Sequence, residues 1–296
     1  MTRYRYFTCD VFTDRPFCGN PLAVLPDARG LTDAQMQSIA REFNFSETTF
    51  VLPADDPRHA ARVRIFTPGG ELPFAGHPTI GTAFVLATIG ALPREAAEIV
   101  FEQGVGPVPV AIFRDGDRVT HCRLTAARLP EPGPPPPEAS ALAKMLSLAE
   151  AEVLEGSACW SCGVPFLVVP LANADALARC ALDLPLWREL LAGYATQKVY
   201  PVARLDDLHW RVRMFAPGLG VAEDPATGSA AASFAGWLAQ QLPHPRDGTL
   251  AVRLEQGIEM GRPSELHLEF DRRQGLVTAV RVGGAAVRVA EGTLAL

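Results

Sequence analysis

Charged and apolar residues alternate along Arg62-Val-Arg-Ile-Phe66, and the same alternation recurs along Arg211-Val-Arg-Met-Phe215. A period of two is that of a strand with one buried face. Each run leads into a Pro/Gly-rich loop and then into a stretch with no polar face, Ile80 to Ile89 and Ala230 to Ala239. A helix that is apolar all round is a buried one. The proline pattern predicts Pro78 and Pro225 at the first helical position, where a missing N–H is harmless. Further strands are expected at Val108–Phe113, Leu250–Leu254, Leu266–Phe270 and Ala286–Val289. More polar helices are expected at about 32–43, 139–153 and 185–193, on the outside. The whole predicts an α+β fold of two similar halves, each a curled, mostly antiparallel sheet wrapped around a central helix.

The two-half reading rests on a repeat. Cys18-Gly-Asn-Pro-Leu-Ala-Val-Leu-Pro26 is matched by Cys162-Gly-Val-Pro-Phe-Leu-Val-Val-Pro170. Arg64-Ile-Phe-Thr-Pro68 is matched by Arg213-Met-Phe-Ala-Pro217, and Gly76-His-Pro-Thr-Ile-Gly-Thr-Ala83 by Glu223-Asp-Pro-Ala-Thr-Gly-Ser-Ala230. The order is kept and the offsets are close, at 144, 149 and 147 residues. Between the copies lies Leu129-Pro-Glu-Pro-Gly-Pro-Pro-Pro-Pro-Glu138, whose four successive prolines favour an extended linker. The expected halves are 1–129, joined by a C-terminal strand at 285–296, and 130–284.

Composition narrows the function classes. With 48% apolar and 20% charged residues, the chain can bury a full core. A net charge of −6, with lysine only at positions 144 and 198, argues against a nucleic-acid backbone as partner. The opening MTRYRYFTCD has no apolar core of a signal peptide, and no apolar stretch reaches the roughly 20 residues of a membrane span. Six cysteines are too few for a disulfide scaffold in a chain of 296 residues and fit a reduced cytoplasm.

Helix N-termini offer unpaired N–H groups and partial positive charge, which suits carboxylates and oxyanions. The starts of the two buried helices, expected to face one another across a cleft, are therefore candidate substrate sites. Gly76 and Gly228 would let a ligand approach the backbone. Asp224 reads as an N-cap, and capping alone would account for it. His77 stands at the matching position, where a structural histidine is the plainer alternative, yet both residues can move protons. Ser229 either binds a substrate carboxylate or is a small residue in a tight turn. Glu47, in Ser46-Glu-Thr-Thr-Phe-Val51, is an acid present in one copy only, since Ala195 to Pro201 has none. Beside apolar walls it would suit a general acid/base; a capping box from Asn44 or a surface ion pair is the alternative. Cys159 and Cys162 have redox or metal spacing, but nothing in the sequence completes a metal site, and they read as structural thiols. Nucleotide fingerprints, HExxH and the GxSxG elbow are absent.

Taken together, Asp10-Val-Phe-Thr-Asp-Arg-Pro-Phe-Cys-Gly-Asn-Pro-Leu-Ala-Val24, Ser46 to Val51, Phe74-Ala-Gly-His-Pro-Thr79, Glu223 to Ser229 and Arg281 to Gly292 resemble the phenazine-biosynthesis (PhzF-like) isomerase family. The resemblance implies a diaminopimelate epimerase-like fold, a cofactor-free mechanism without metal, a homodimer and a small carboxylic acid as substrate. It assigns the general acid/base to Glu47, substrate contacts to His77 and Asp224, and an anion site to Gly76, Gly228 and Ser229. The family's best-known reaction isomerises trans-2,3-dihydro-3-hydroxyanthranilate by a proton shift. The epimerase relatives use two opposed cysteines where this chain has His77 and Asp224, which disfavours a two-cysteine racemase. An epimerase or racemase of a small amino or hydroxy acid, and a non-catalytic ligand-binding scaffold, are the rival readings.

Overall fold

The computed structural model describes residues 2–241 and 247–296. The fold is α+β, and the chain divides into two compact units, one up to Thr125 together with Gly283–Leu296, the other Ala126–Val282.

The first unit begins with β1 (Arg3–Val11), β2 (Asn20–Leu25), α1 (Asp33–Phe43), β3 (Glu47–Leu52), β4 (Ala61–Phe66) and β5 (Glu71–Leu72). It continues with α2 (Gly76–Thr88), β6 (Glu98–Gln103), β7 (Gly106–Asp115) and β8 (Arg118–Thr125). Most neighbouring strands are antiparallel, but β2 and β3 run parallel, as do β4 and β6. A parallel pair needs a crossover. Helix α1 makes the first, and α2 the second.

The two crossover helices differ as their sequences do. Helix α1 is amphipathic and starts with a capping box of Thr32 and Gln35. It packs Met36, Ile39 and Ala40 with Leu25, Phe50 and Phe66. Helix α2 has every residue from Gly76 to Leu86 buried. It touches β1, β2 and β3 as well as β7 and β8, so the sheet curls around it. Gly81 allows this closeness, because a Cβ there would lie 2.6 Å from Leu22 Cδ2 and 2.7 Å from Val11 Cγ2.

The second unit repeats the plan. It holds β9 (Glu131–Pro132), α3 (Ala139–Met145), β10 (Ala158–Ser161), β11 (Pro165–Leu171), α4 (Ala174–Arg179) and α5 (Leu184–Leu191). Then come β12 (Val199–Asp206), β13 (His209–Val212), α6 (Gly228–Gln241), β14 (Gly248–Gln256), β15 (Ser264–Arg273) and β16 (Leu276–Gly284), whose last residues enter the first unit. Parallel pairs recur at β11/β12 and β13/β14, with α6 as the second crossover. Helix α6 is buried from Ala230 to Ala239, and α3, α4 and α5 share a separate cluster with β11 and β12. Finally β17 (Ala286–Ala295) pairs antiparallel with β1 along its whole length, from Arg3↔Ala295 to Val11↔Ala286.

Several predicted boundaries move. The helix expected over 139–153 stops at Met145, because Ser147 adopts a left-handed φ of 58°; a short 3-10 turn at Glu150–Glu152 follows. The strand expected to reach Phe215 ends at Val212. Pro78 is the third residue of α2, and Pro225 lies three residues before α6. Asp224 is therefore no N-cap. It belongs to a turn held by other means.

Candidate active site

The site is built first from β2 and β3. Asn44 ends α1 in a left-handed conformation (φ 52°), its N–H donating to the Ala40 carbonyl. It therefore closes a helix and does not open a capping box. The chain turns into β3, whose first residue, Glu47, lies in register with Leu22 of β2. The neighbouring Pro21 carbonyl accepts a hydrogen bond from the His77 ring. The other ring nitrogen, Nε2, lies 3.3 Å from Glu47 Oε2, with side-chain exposures of 6% and 15%. Strand β2 thus fixes both partners, one by strand pairing and one by its carbonyl.

Burial lowers the His77 pKa from 6.5 to about 3, so the ring is neutral near neutral pH. With Nδ1–H committed to Pro21, Nε2 presents a lone pair. A carboxylate oxygen facing a lone pair in a buried place is repulsive. At 3.3 Å the two facing atoms are close without forming a hydrogen bond to each other. Gly76, the first residue of α2, is buried beside His77.

The second set stands at the start of α6. Asp224 is 8% exposed, and its Oδ2 accepts from the Thr227 hydroxyl at 2.5 Å. On one flank Glu223 is gripped by Arg213, with two N–H···O bonds of 2.8 Å. The same guanidinium donates to the carbonyls of Leu177 and Cys180. On the other flank the wholly buried Gln256 ties down the turn. Gly228 opens the helix buried, and Ser229 is half-buried. Its carbonyl accepts from Ser233, whose hydroxyl in turn accepts the Cys162 N–H. Cys159 and Cys162 are free thiols, and burial pushes Cys162 up to about 12.

So the structure brings Glu47, His77 and Gly76 together in the first unit, and Asp224, Gly228 and Ser229 together in the second. Sequence reasoning missed two residues. Gln256 is one, although Glu102-Gln103-Gly104 and Glu255-Gln256-Gly257 form a fourth repeat match. Lys198 is the other. Phe166 stands where Leu22 does in the repeat, the β11/β12 register begins one residue later at Leu167↔Val199, and Lys198 Nζ lies 5.9 Å from the centre of the Phe166 ring. Lys198 therefore occupies in the second copy the position of Glu47 in the first.

A family model described as "Phenazine biosynthesis-like protein" matches residues 9–292. The chain belongs to this family. It is 44% identical to an uncharacterized isomerase of Mesorhizobium japonicum over 99% of both chains. It is 36% identical to the trans-2,3-dihydro-3-hydroxyanthranilate isomerase of Pseudomonas aeruginosa over 98% of both. Among solved structures, the PhzF-family phenazine biosynthesis protein of Bacillus anthracis superposes with a TM-score of 0.88 at 26% identity, covering 100% of each chain. The family's relatives are named isomerases, and this chain is an isomerase. All six candidate site residues fall within the matched span.

Proposed function

We propose that the chain moves a proton between two positions of a small carboxylic acid similar to trans-2,3-dihydro-3-hydroxyanthranilate, the substrate named for its Pseudomonas aeruginosa relative. Glu47 is the acid/base. It takes a proton from a carbon beside an unsaturated system and returns it elsewhere on the same molecule. His77 holds the proton's alternative seat and contacts the substrate. Asp224 accepts from the substrate's amino or hydroxyl group, and Gly76, Gly228 and Ser229 bind its carboxylate. Such a shift leaves the substrate's oxidation state unchanged, so it requires no redox cofactor or co-substrate.

The observation that supports this reading most is the Glu47–His77 pair. A half-buried carboxyl 3.3 Å from the Nε2 of a buried, neutral histidine is a group placed to exchange protons with carbon. The test is Glu47→Gln, assayed with trans-2,3-dihydro-3-hydroxyanthranilate in deuterated water. We expect kcat to fall about 10²- to 10⁴-fold with KM little changed, and the parent to place solvent deuterium at a carbon of the product. Retained turnover in Glu47→Gln would remove Glu47 from the mechanism. A second test asks whether Glu47 and Asp224 act on the same substrate molecule. Glu47→Gln and Asp224→Asn should then be non-additive in kcat/KM.

A further inference from the structure

The last residue of β6 and the last residue of β14 are both glutamines, Gln103 and Gln256, each inside a Glu-Gln-Gly triplet. Each is followed by a glycine packed against backbone. A Cβ on Gly104 would lie 2.8 Å from Pro73 Cα, and one on Gly257 would lie 2.7 Å from the Pro225 carbonyl oxygen. Each glutamine donates its Nε2 to a threonine hydroxyl in the turn that begins the buried helix of its own unit: Gln103 to Thr79 at 2.8 Å, Gln256 to Thr227 at 3.0 Å. The arrangement recurs in both copies although the two turns carry different chemistry.

At α6 the hydrogen bonds determine where each proton points. The Gln256 amide donates twice, to the Asp224 carbonyl at 2.7 Å and to Thr227 Oγ1 at 3.0 Å. Its oxygen accepts the Thr227 N–H at 3.2 Å, which fixes the amide's orientation. Thr227 Oγ1, accepting from Gln256, has its own proton to place, and the acceptor it meets is Asp224 Oδ2. At α2 the same logic sends the Thr79 proton to the Ala75 carbonyl at 2.7 Å. A hydroxyl that could rotate is held as a donor in both turns. A donor aimed at a buried carboxyl favours its ionised form. Burial first, and then a negative Asp224, would hold the nearby Tyr200 hydroxyl protonated.

We propose that Gln256 is a positioning residue that fixes the Thr227 hydroxyl as a donor to Asp224, and so keeps Asp224 ionised and oriented to accept from substrate. The consequence for substrate rests on the function proposed above; the effect on Asp224 itself does not. Gln103 donates likewise to Thr79 at α2, but its own Oε1 is buried without a hydrogen-bond partner among the described residues, and the Thr79 proton goes to a backbone carbonyl in place of a carboxylate.

The test reads Asp224 directly. The ¹³C carboxyl resonance of Asp224, identified as the one lost in Asp224→Asn, is followed against pH in full-length protein. Gln256→Leu and Thr227→Val should each raise its midpoint by about one pH unit or more. Thr227→Ser, which keeps the hydroxyl, should leave it near the parent value, and Gln103→Leu should not move it. An unmoved midpoint in a folded Gln256→Leu or in Thr227→Val overturns the proposal, because a merely structural glutamine would lower stability without shifting that titration. Should Gln256→Leu fail to fold, Thr227→Val alone decides. Turnover is read separately. With the midpoint shifted, a KM raised roughly tenfold supports the substrate role of Asp224 as well, whereas an unchanged KM supports the positioning of Asp224 and overturns only its place in substrate binding.

Discussion

The burial of His77 beside Glu47 has a consequence for stability. Consider Glu47→Gln, where His77 has an amide beside it and no proton to share. Unfolded His77 takes up a proton below about 6.5, but folded His77 does so only near 3. Protons then favour the unfolded chain. The stability present above pH 6.5 is lost as pH falls from 6.5 towards 3, at up to about 1.4 kcal/mol per unit. Were the folded pair of the parent to share one proton, it would match the unfolded histidine. Its matching decline would begin only where an unfolded glutamate protonates, near 4.3. Urea melts between pH 7 and 4.5 should then show the variant losing stability relative to the parent as pH drops. Parallel curves would mean that Glu47 is ionised beside a neutral His77. Glu47, His77 and Asp224 stand out in the sequence as candidates because each brings acid/base chemistry to a repeated or conspicuously unrepeated position. Gln256 and Lys198 do not. A neutral amide draws no attention in a string, and Lys198 is passed over where only an acid to match Glu47 is sought from Ala195 to Pro201.

Elements were easier to read than their ends. Periodicity found both buried helices and most strands, since burial of a face is a property of the local string. The helix starts were misplaced for a different reason. A proline is tolerated throughout the first turn, where N–H groups have no intrahelical partner, so Pro78 marks the turn and not its first residue. Pro225 lies in a turn held by Gln256 and Arg213, contacts from distant parts of the chain that no local pattern contains. The parallel pairs β2/β3 and β4/β6 escaped the expectation of a mostly antiparallel sheet in the same way, because pairing partners are not local. The packing of α2 itself makes a prediction. Gly81→Ala should gain about 1 kcal/mol of helix propensity. Its new Cβ would press on Leu22 and Val11, both fully buried, and such overpacking costs about 1–3 kcal/mol. We expect a net loss of about 1 kcal/mol, seen as a lower urea midpoint with an unchanged slope. A raised midpoint would show that α2 can shift away from β1 and β2 at no cost.

The chain as a whole interrupts its first unit with its second. β1 and β17 pair across nearly the full sequence, and closing so long a loop costs about 2–3 kcal/mol more entropy than closing a short hairpin. The second unit is continuous, from Ala126 to Val282. Its two ends are held together, for the Ala126 N–H donates to the Val280 carbonyl at 2.9 Å. Once that unit folds, the loop that β1 and β17 must close is shortened to the two segments outside it, which removes roughly 0.8 kcal/mol of the entropic penalty. The duplication in the sequence could suggest two halves folding alike; the topology makes them unequal. Refolding with pulsed hydrogen exchange should protect the amides of β11 and β12 before those of β1 that pair with β17. Leu167→Ala, a cavity in the wholly buried second-unit cluster, should delay protection of β1 as well, although Leu167 has no part in the first unit's sheet. Protection of β1 that is simultaneous with β11, or indifferent to Leu167→Ala, would mean that the first unit closes by itself and that the inserted position of the second has no bearing on how the chain folds.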